Sequence, residues 1–193
     1  MARRKYEFRP DKTDSGIWNK LYITQKQWAN IAKWAMYALV LLVLSVVQDV
    51  IMSRVRFFGA TTDLVPCAIM LICVLQGAEN GCVFTLIASA LYLFSGCAPD
   101  HYVLAFLTVL AVFTTMFRQA YLRKGFGATM LCAGTAVMLY EIAIFAAGLL
   151  MSQTIPSRFQ VCLLTGAYSL LALPILYPIC ISIDKIGGET WKE

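Results

Sequence analysis

Glu141 is the residue of this chain most able to carry chemistry, because it interrupts a long apolar stretch and stands beside Tyr140. A charged side chain in membrane hydrocarbon costs at least ~2.5 kcal/mol, so such residues usually face the interior of a helix bundle and have a polar partner. One interpretation is a substrate, proton or coupling site. The other is a protonated or hydrogen-bonded glutamate that holds helices together. Thr165, Tyr168 and Ser169 are the candidate partners.

Asp63 is a second candidate, at the start of another apolar segment. As the N-cap of a helix it places Pro66 at the third helical position, where the amide that proline lacks has no intrahelical partner anyway. This start of a helix is the structural interpretation. The functional one is an interaction site at the outer edge of a membrane, in which Arg54 and Arg56 also take part. Arg118, in a basic connection, is a further candidate.

Signatures of an enzyme or a metal site are missing from the sequence. It contains no G-x-S-x-G, H-E-x-x-H or P-loop pattern, and we expect no close pair of carboxylates within the membrane. The seven cysteines show no C-x-x-C spacing and His101 is the only histidine, so we interpret the cysteines as small hydrophobic residues rather than zinc ligands. We therefore predict no catalytic residue, no cofactor and no metal.

Six apolar segments of membrane-spanning length dominate the chain. They cover residues 28–51, 59–77, 80–97, 100–117, 126–151 and 159–182, and 60% of all residues are hydrophobic. A helix needs ~20 predominantly apolar residues to cross ~30 Å of hydrocarbon, and the runs do not alternate as membrane strands do. The prediction is an all-α polytopic membrane protein, a bundle of six transmembrane helices over 28–182.

Local signals predict the connections between these segments. Gly77 to Gly81 is predicted to form a tight turn, and the loop after the fourth segment is predicted to begin at Arg118. Small residues at Ala143 and Ala147 are a weak signal for helix packing. Pro174 and Pro178 are expected to kink or locally break the last segment.

Basic residues set the predicted orientation. Of the sixteen lysines and arginines, six crossings place thirteen on one side and leave only Arg54, Arg56 and Arg158 on the other. The positive-inside rule then puts both termini in the cytoplasm of a cell-membrane protein. Residues 1–27 form a basic cytoplasmic arm with a possible interfacial helix on the lipid bilayer, and residues 183–193 a short cytoplasmic tail. Basic residues beside membrane helices are usually topology signals, so we expect no binding of nucleic acid.

Several motifs together resemble the bacterial rod shape-determining MreD family, over roughly residues 35 to 185. They are Gln48, the run from Phe58 to Leu64, the Gly77-x-x-x-Gly81 pair, the basic loop from Arg118 to Gly125, and Tyr140-Glu141. The resemblance implies a non-enzymatic scaffold of the cell-elongation machinery. It would bind the single-span partner MreC and other membrane proteins of that machinery, and help connect MreB filaments to peptidoglycan synthesis.

The resemblance also implies a fold similar to the substrate-binding component of energy-coupling-factor vitamin transporters, which is the alternative function. A vitamin-binding component needs a closed pocket at the outer ends of the helices, where Arg54, Arg56, Asp63, Asp100, His101 and Arg158 are available. A scaffold needs exposed apolar faces instead. The two functions therefore predict different cavities.

Overall fold

The computed structural model describes residues 25–52, 54, 59–96, 98–121 and 125–186. Residues 1–24 of the predicted arm (1–27), Arg56 and residues 187–193 of the predicted tail (183–193) lie outside the described residues, and the remaining residues of the arm and the tail belong to the first and last helices. One helix is found at each of the six predicted segments, and this confirms the all-α prediction. The helices are α1 (Gln25–Val47, continued by a π-helical turn over Gln48–Met52), α2 (Leu64–Gln76), α3 (Ala78–Phe94), α4 (Val103–Tyr121), α5 (Phe126–Leu150) and α6 (Phe159–Ile186, preceded by a 3-10 turn over Pro156–Arg158).

Four of these helices are long and apolar enough to cross a membrane: α1, α4, α5 and α6. The other two are shorter than predicted, with 13 residues in α2 and 17 in α3. At 1.5 Å per residue, α2 is only about 20 Å long, which is well under the ~30 Å of a hydrocarbon core. The chain is therefore a multi-pass membrane protein by the length and composition of four helices.

The short helix α2 lies in the centre of the bundle and packs against each of the other five helices. Every residue from Val65 to Leu75 is buried. The other helices surround α2 in the order α1, α6, α5, α4, α3, and each packs on the next. The circle is weakest between α3 and α1, where few residues meet. We call the end that carries the connection from α2 to α3 the inner end, and the opposite end the outer end, after the predicted orientation.

A single buried stripe joins each surrounding helix to the centre. In α4 the buried residues are Val103, Leu107, Ala111, Thr115 and Arg118, which are spaced by three or four positions and so lie on one face. The remaining faces carry exposed apolar side chains such as Phe113 and Met116. Hydrophobic residues on both faces are what a helix needs when it packs on protein on one side and on lipid on the other.

Gly77 and Gly81 have different roles, and only one of them forms the predicted turn. Gly77 links α2 to α3 with a backbone φ of 88°, which a residue with a side chain rarely adopts. Gly81 already belongs to α3 and packs against α2, where an added Cβ would lie 2.6 Å from the carbonyl oxygen of Cys73. The predicted turn is thus a single residue, and the second glycine is a helix contact.

The structure bears on three other local predictions. Arg118 does not begin a loop but lies on α4, which continues to Tyr121. Its side chain donates a hydrogen bond to the backbone of α2 inside the bundle. The helix α6 runs through Pro174 and Pro178 without a break and continues to Ile186. Ala143 and Ala147 are only half-buried, and the close approaches of α5 use Gly134 and Gly148 instead.

Candidate functional site

Asp63 precedes the first residue of α2, as predicted, but its carboxyl group does not cap the helix. The carboxyl lies against the carboxyl of Glu141 on α5 instead, within hydrogen-bonding reach of it. The backbone N–H of Asp63 donates to Ser169 Oγ of α6 at 3.0 Å. This residue therefore connects the start of the central helix to two of the surrounding helices.

Gln48 supplies the cap that Asp63 does not. Its Oε1 accepts the backbone N–H of Val65 at 2.9 Å, which satisfies one of the free amides in the first turn of α2. Its Nε2 donates to the hydroxyl of Tyr92 on α3 at 3.2 Å. Gln48 is buried although it is polar, because both ends of its amide are bonded.

Glu141 is 7% exposed, and its partner differs from the residues expected on the last helix. The structure pairs it with Asp63, while Ser169 bonds the backbone of Asp63. The expectation that no two membrane carboxylates lie close together was therefore wrong. It failed because Asp63 was interpreted only as the N-cap of α2, whereas the packing of α2 against α5 also brings its carboxyl to Glu141.

A second polar cluster, which the sequence patterns do not predict, lies at the inner end of the bundle. Lys33 Nζ lies 2.6 Å from Asp184 Oδ1, and both side chains are almost fully buried. Gln76 Nε2 donates to the same oxygen of Asp184 and to the hydroxyl of Tyr37, each at 2.9 Å. These four residues tie α1, α2 and α6 together. The available signal was two opposite charges at the same end of the first and last segments.

Arg118 and Arg54 lie in unlike surroundings. Arg118 is buried, and its Nη1 donates to the backbone carbonyl of Val74 in the last turn of α2. A cation is favourable there, because the carbonyl end of a helix carries partial negative charge. Arg54 is exposed, and its backbone N–H donates to Ile51. The structure does not bring Arg54 to Asp63 by any contact of the described residues.

A compact polar cluster connects two outer loops. Asp100 accepts hydrogen bonds from the backbone N–H of His101 at 2.7 Å and from Gln153 Nε2 at 3.0 Å, and its Oδ1 lies 3.0 Å from His101 Nδ1. These hydrogen bonds lower the pKa of Asp100 to about 2, and the bond with the His101 side chain has the largest effect. The cluster is exposed and its members bond one another, so it holds the loops before α4 and after α5 together.

A groove opens at the weak point of the circle, between α1 and α3. Its volume is about 700 Å³, and its floor includes Val65 of the central helix. Two contacts join α1 and α3 along it: the rings of Trp34 and Phe84 are 5.5 Å apart toward the inner end, and Gln48 bonds Tyr92 toward the outer end. Between these contacts the lining is mostly apolar, with Ala38, Leu41, Leu42, Ser45, Ile87, Ala88 and Leu91.

The groove opens sideways, toward the position of the lipid. Side chains of α1 and α3 along it are strongly exposed, including Leu42 at 64%, Val83 at 62% and Leu91 at 59%. Neither carboxyl of the outer pair lines the groove, and neither does Arg54, Asp100, His101 or Arg158. The cavity is therefore an open apolar slot along the bundle and differs from the closed outer pocket of a vitamin-binding component.

Comparison of this chain with protein-family models, with curated proteins and with solved structures finds no match.

Proposed function

We propose that this chain is a non-enzymatic membrane scaffold that binds the transmembrane helix of a single-span partner in the groove between α1 and α3. The observation that carries the proposal is the groove itself, because it lies where the surrounding circle of helices has its weakest contact and reaches in as far as Val65 of the central helix. The resemblance of the sequence to the MreD family implies that the partner is a protein of the MreC kind and that the process is cell elongation. The distribution of basic residues implies that both termini of this chain lie in the cytoplasm.

The shape of the groove favours a helix over a compact ligand. Along α3 its lining runs from Asn80 to Ser95, which is about 22 Å of helix and most of a hydrocarbon core. Ala38, Ser45 and Ala88 are small, so the backbone of a second helix can approach closely. A site for a small molecule needs several convergent polar groups, whereas the polar residues here lie near the two ends of the slot.

Blocking the groove should abolish binding of the partner. We expect Ala38→Leu combined with Ser45→Leu to reduce the amount of MreC that co-purifies from mild detergent at least tenfold, because the added side chains fill the slot. The measurement is the ratio of the two proteins after affinity purification of this chain. A matched control is Ala146→Leu, since Ala146 is also an exposed alanine on a membrane helix but does not line the groove.

Three outcomes contradict the proposed function. They are an unchanged complex in the groove variant, a reduction that the control shares, and recovery of only lipid or a second copy of this chain from the groove. Normal rod-shaped cells after deletion of the gene, together with loss of vitamin uptake, would favour the transporter component instead.

A further inference from the structure

The hydrogen bond between Asp63 and Glu141 has a chemical requirement. Ionised carboxylates only accept hydrogen bonds, so two carboxyl groups that bond one another hold at least one proton between them. Asp63 stands at the N-terminus of α2, where the partial positive charge of the helix favours the ionised form. Glu141 is then the donor, and the pair carries a net charge of about −1.

Asp63 is the member of the pair nearer to solvent at the outer end of the bundle, whereas Glu141 is deeply buried. Asp63 is half-buried, as are Thr61 and Thr62 before it. Glu141 is only 7% exposed. The 13 residues of α2 place Asp63 about 20 Å along that helix from the inner end, so the pair lies at the outer end of the central helix. A large cationic side chain cannot reach Glu141 Oε1, which has no exposed surface. A small ion can.

Oxygen atoms with free bonding capacity surround the pair. Glu141 Oε1 and the hydroxyl of Tyr140 are both buried and have no hydrogen-bond partner among the described residues. Tyr140 has no exposed surface and lies close enough to both carboxyls to interact with them electrostatically. Ser169 Oγ accepts one hydrogen bond, from the N–H of Asp63, and retains a second lone pair. Oxygen ligands of this kind suit hard cations.

The other titratable groups around the pair are neutral thiols and phenols rather than cations. Cys67 of α2 and Cys162 of α6 interact with it electrostatically, as does Tyr140 of α5. Tyr92 of α3 and Tyr102, just before α4, interact with Tyr140 in turn. The ion pairs of the described residues lie elsewhere, at Lys33–Asp184 and Asp100–His101. Among the described residues no basic side chain forms an ion pair with either carboxyl, so none competes there with a bound cation.

We propose that Asp63 and Glu141 form a site that binds a monovalent cation in exchange for their shared proton. The carboxyl O–H bond of Glu141 breaks, the proton leaves through the outer opening beside Asp63, and the cation binds the carboxylate oxygens, Tyr140 and Ser169. One positive charge replaces another, so the net charge of the buried site does not change. A group of three or more acidic, cysteine or histidine ligands, as a tightly bound divalent ion prefers, is not found among the described residues.

Proton release measures this exchange directly. The full chain in neutral detergent is placed in weakly buffered solution with a pH indicator, and NaCl is added against choline chloride at equal ionic strength. We expect saturable release of up to one proton per chain with Na⁺ and none with choline. Because one proton competes with one cation, the apparent affinity for Na⁺ should rise about tenfold per pH unit while the pair is protonated.

Asp63→Asn and Glu141→Gln are the matched variants, because each amide can still bond the remaining carboxyl and the fold should survive. Both should lose the Na⁺-linked proton release while they elute as wild type in size exclusion. Release that either variant retains, release by CaCl₂ but not by NaCl, or an affinity that does not depend on pH would each overturn the proposal. If a variant fails to fold, the stoichiometry and the pH dependence of the wild type still decide. The test needs no partner protein, so it is independent of the proposed function.

Discussion

Lys33→Met is expected to lower the free energy of unfolding by about 3–5 kcal/mol, the usual effect of removing one member of a buried ion pair. Methionine keeps most of the length and packing of lysine but removes the ammonium group that lies 2.6 Å from Asp184 Oδ1. Asp184 would then be a 5% exposed carboxylate without its cation. The measurement is equilibrium or thermal unfolding of the purified protein in detergent.

Two controls separate the ion pair from general effects of charge. Lys185→Met removes an exposed lysine one residue from Asp184 and should change stability by no more than about 0.5 kcal/mol. Adding Asp184→Asn to Lys33→Met should recover at least half of the loss, since the asparagine oxygen still accepts from Gln76 and no buried charge remains. A single variant as stable as wild type would show that Lys33 does not bond Asp184 inside the bundle.

Gly81→Ala is expected to destabilise the protein by about 3 kcal/mol or more, at or above the upper end of the usual range for overpacking. The added methyl group would lie 2.6 Å from the backbone oxygen of Cys73 and 3.0 Å from its sulfur. Backbone atoms of the central helix cannot move aside as a flexible side chain does, so α2 and α3 must separate. A drop in the unfolding temperature and reduced accumulation in the membrane are the measurements.

Gly127→Ala is the matched control for this substitution. Gly127 lies in the first turn of α5, an added Cβ there meets nothing within 4 Å, and alanine is the better helix former by about 1 kcal/mol. We expect this variant to be as stable as wild type or slightly more stable. Equal stability of both variants would contradict the close contact between α2 and α3.

The location of the helices was predictable because runs of apolar residues mark them directly. All six segments were found within a few residues of their predicted bounds, and Asp63 preceded the first residue of α2 with Pro66 at the third helical position. Whether each helix crosses the whole membrane was not predictable in this way. A run of apolar residues looks the same whether it crosses the membrane or stops within the bundle, so the segment over 59–77 predicts a full crossing although α2 has only 13 residues.

The polar contacts were harder to predict, because they join residues far apart in the sequence. Lys33 and Arg118 counted among the basic residues that set the orientation, yet both are buried and bond other helices. Glu141 was found from its place in the apolar stretch alone. Its partner Asp63 is 78 positions away, from 63 to 141, and only the packing of α2 between the other helices brings the two together.

The central helix also constrains the order in which the protein can be assembled. One amide near the start of α2 is bonded by Gln48 of α1, and one carbonyl near its end by Arg118 of α4. A helix of about 20 Å that enters the bilayer before α4 exists has backbone groups at its end without this partner, and each unsatisfied group in hydrocarbon costs several kcal/mol. We expect a nascent chain that ends at residue 97 to leave Cys73 reactive toward a lipid-soluble thiol reagent, and the full chain to protect it. Protection in the short chain would contradict this order. We therefore expect the first three helices to stay in contact with the translocation machinery until the fourth has been synthesised, and the helices of this protein to enter the membrane together rather than one by one.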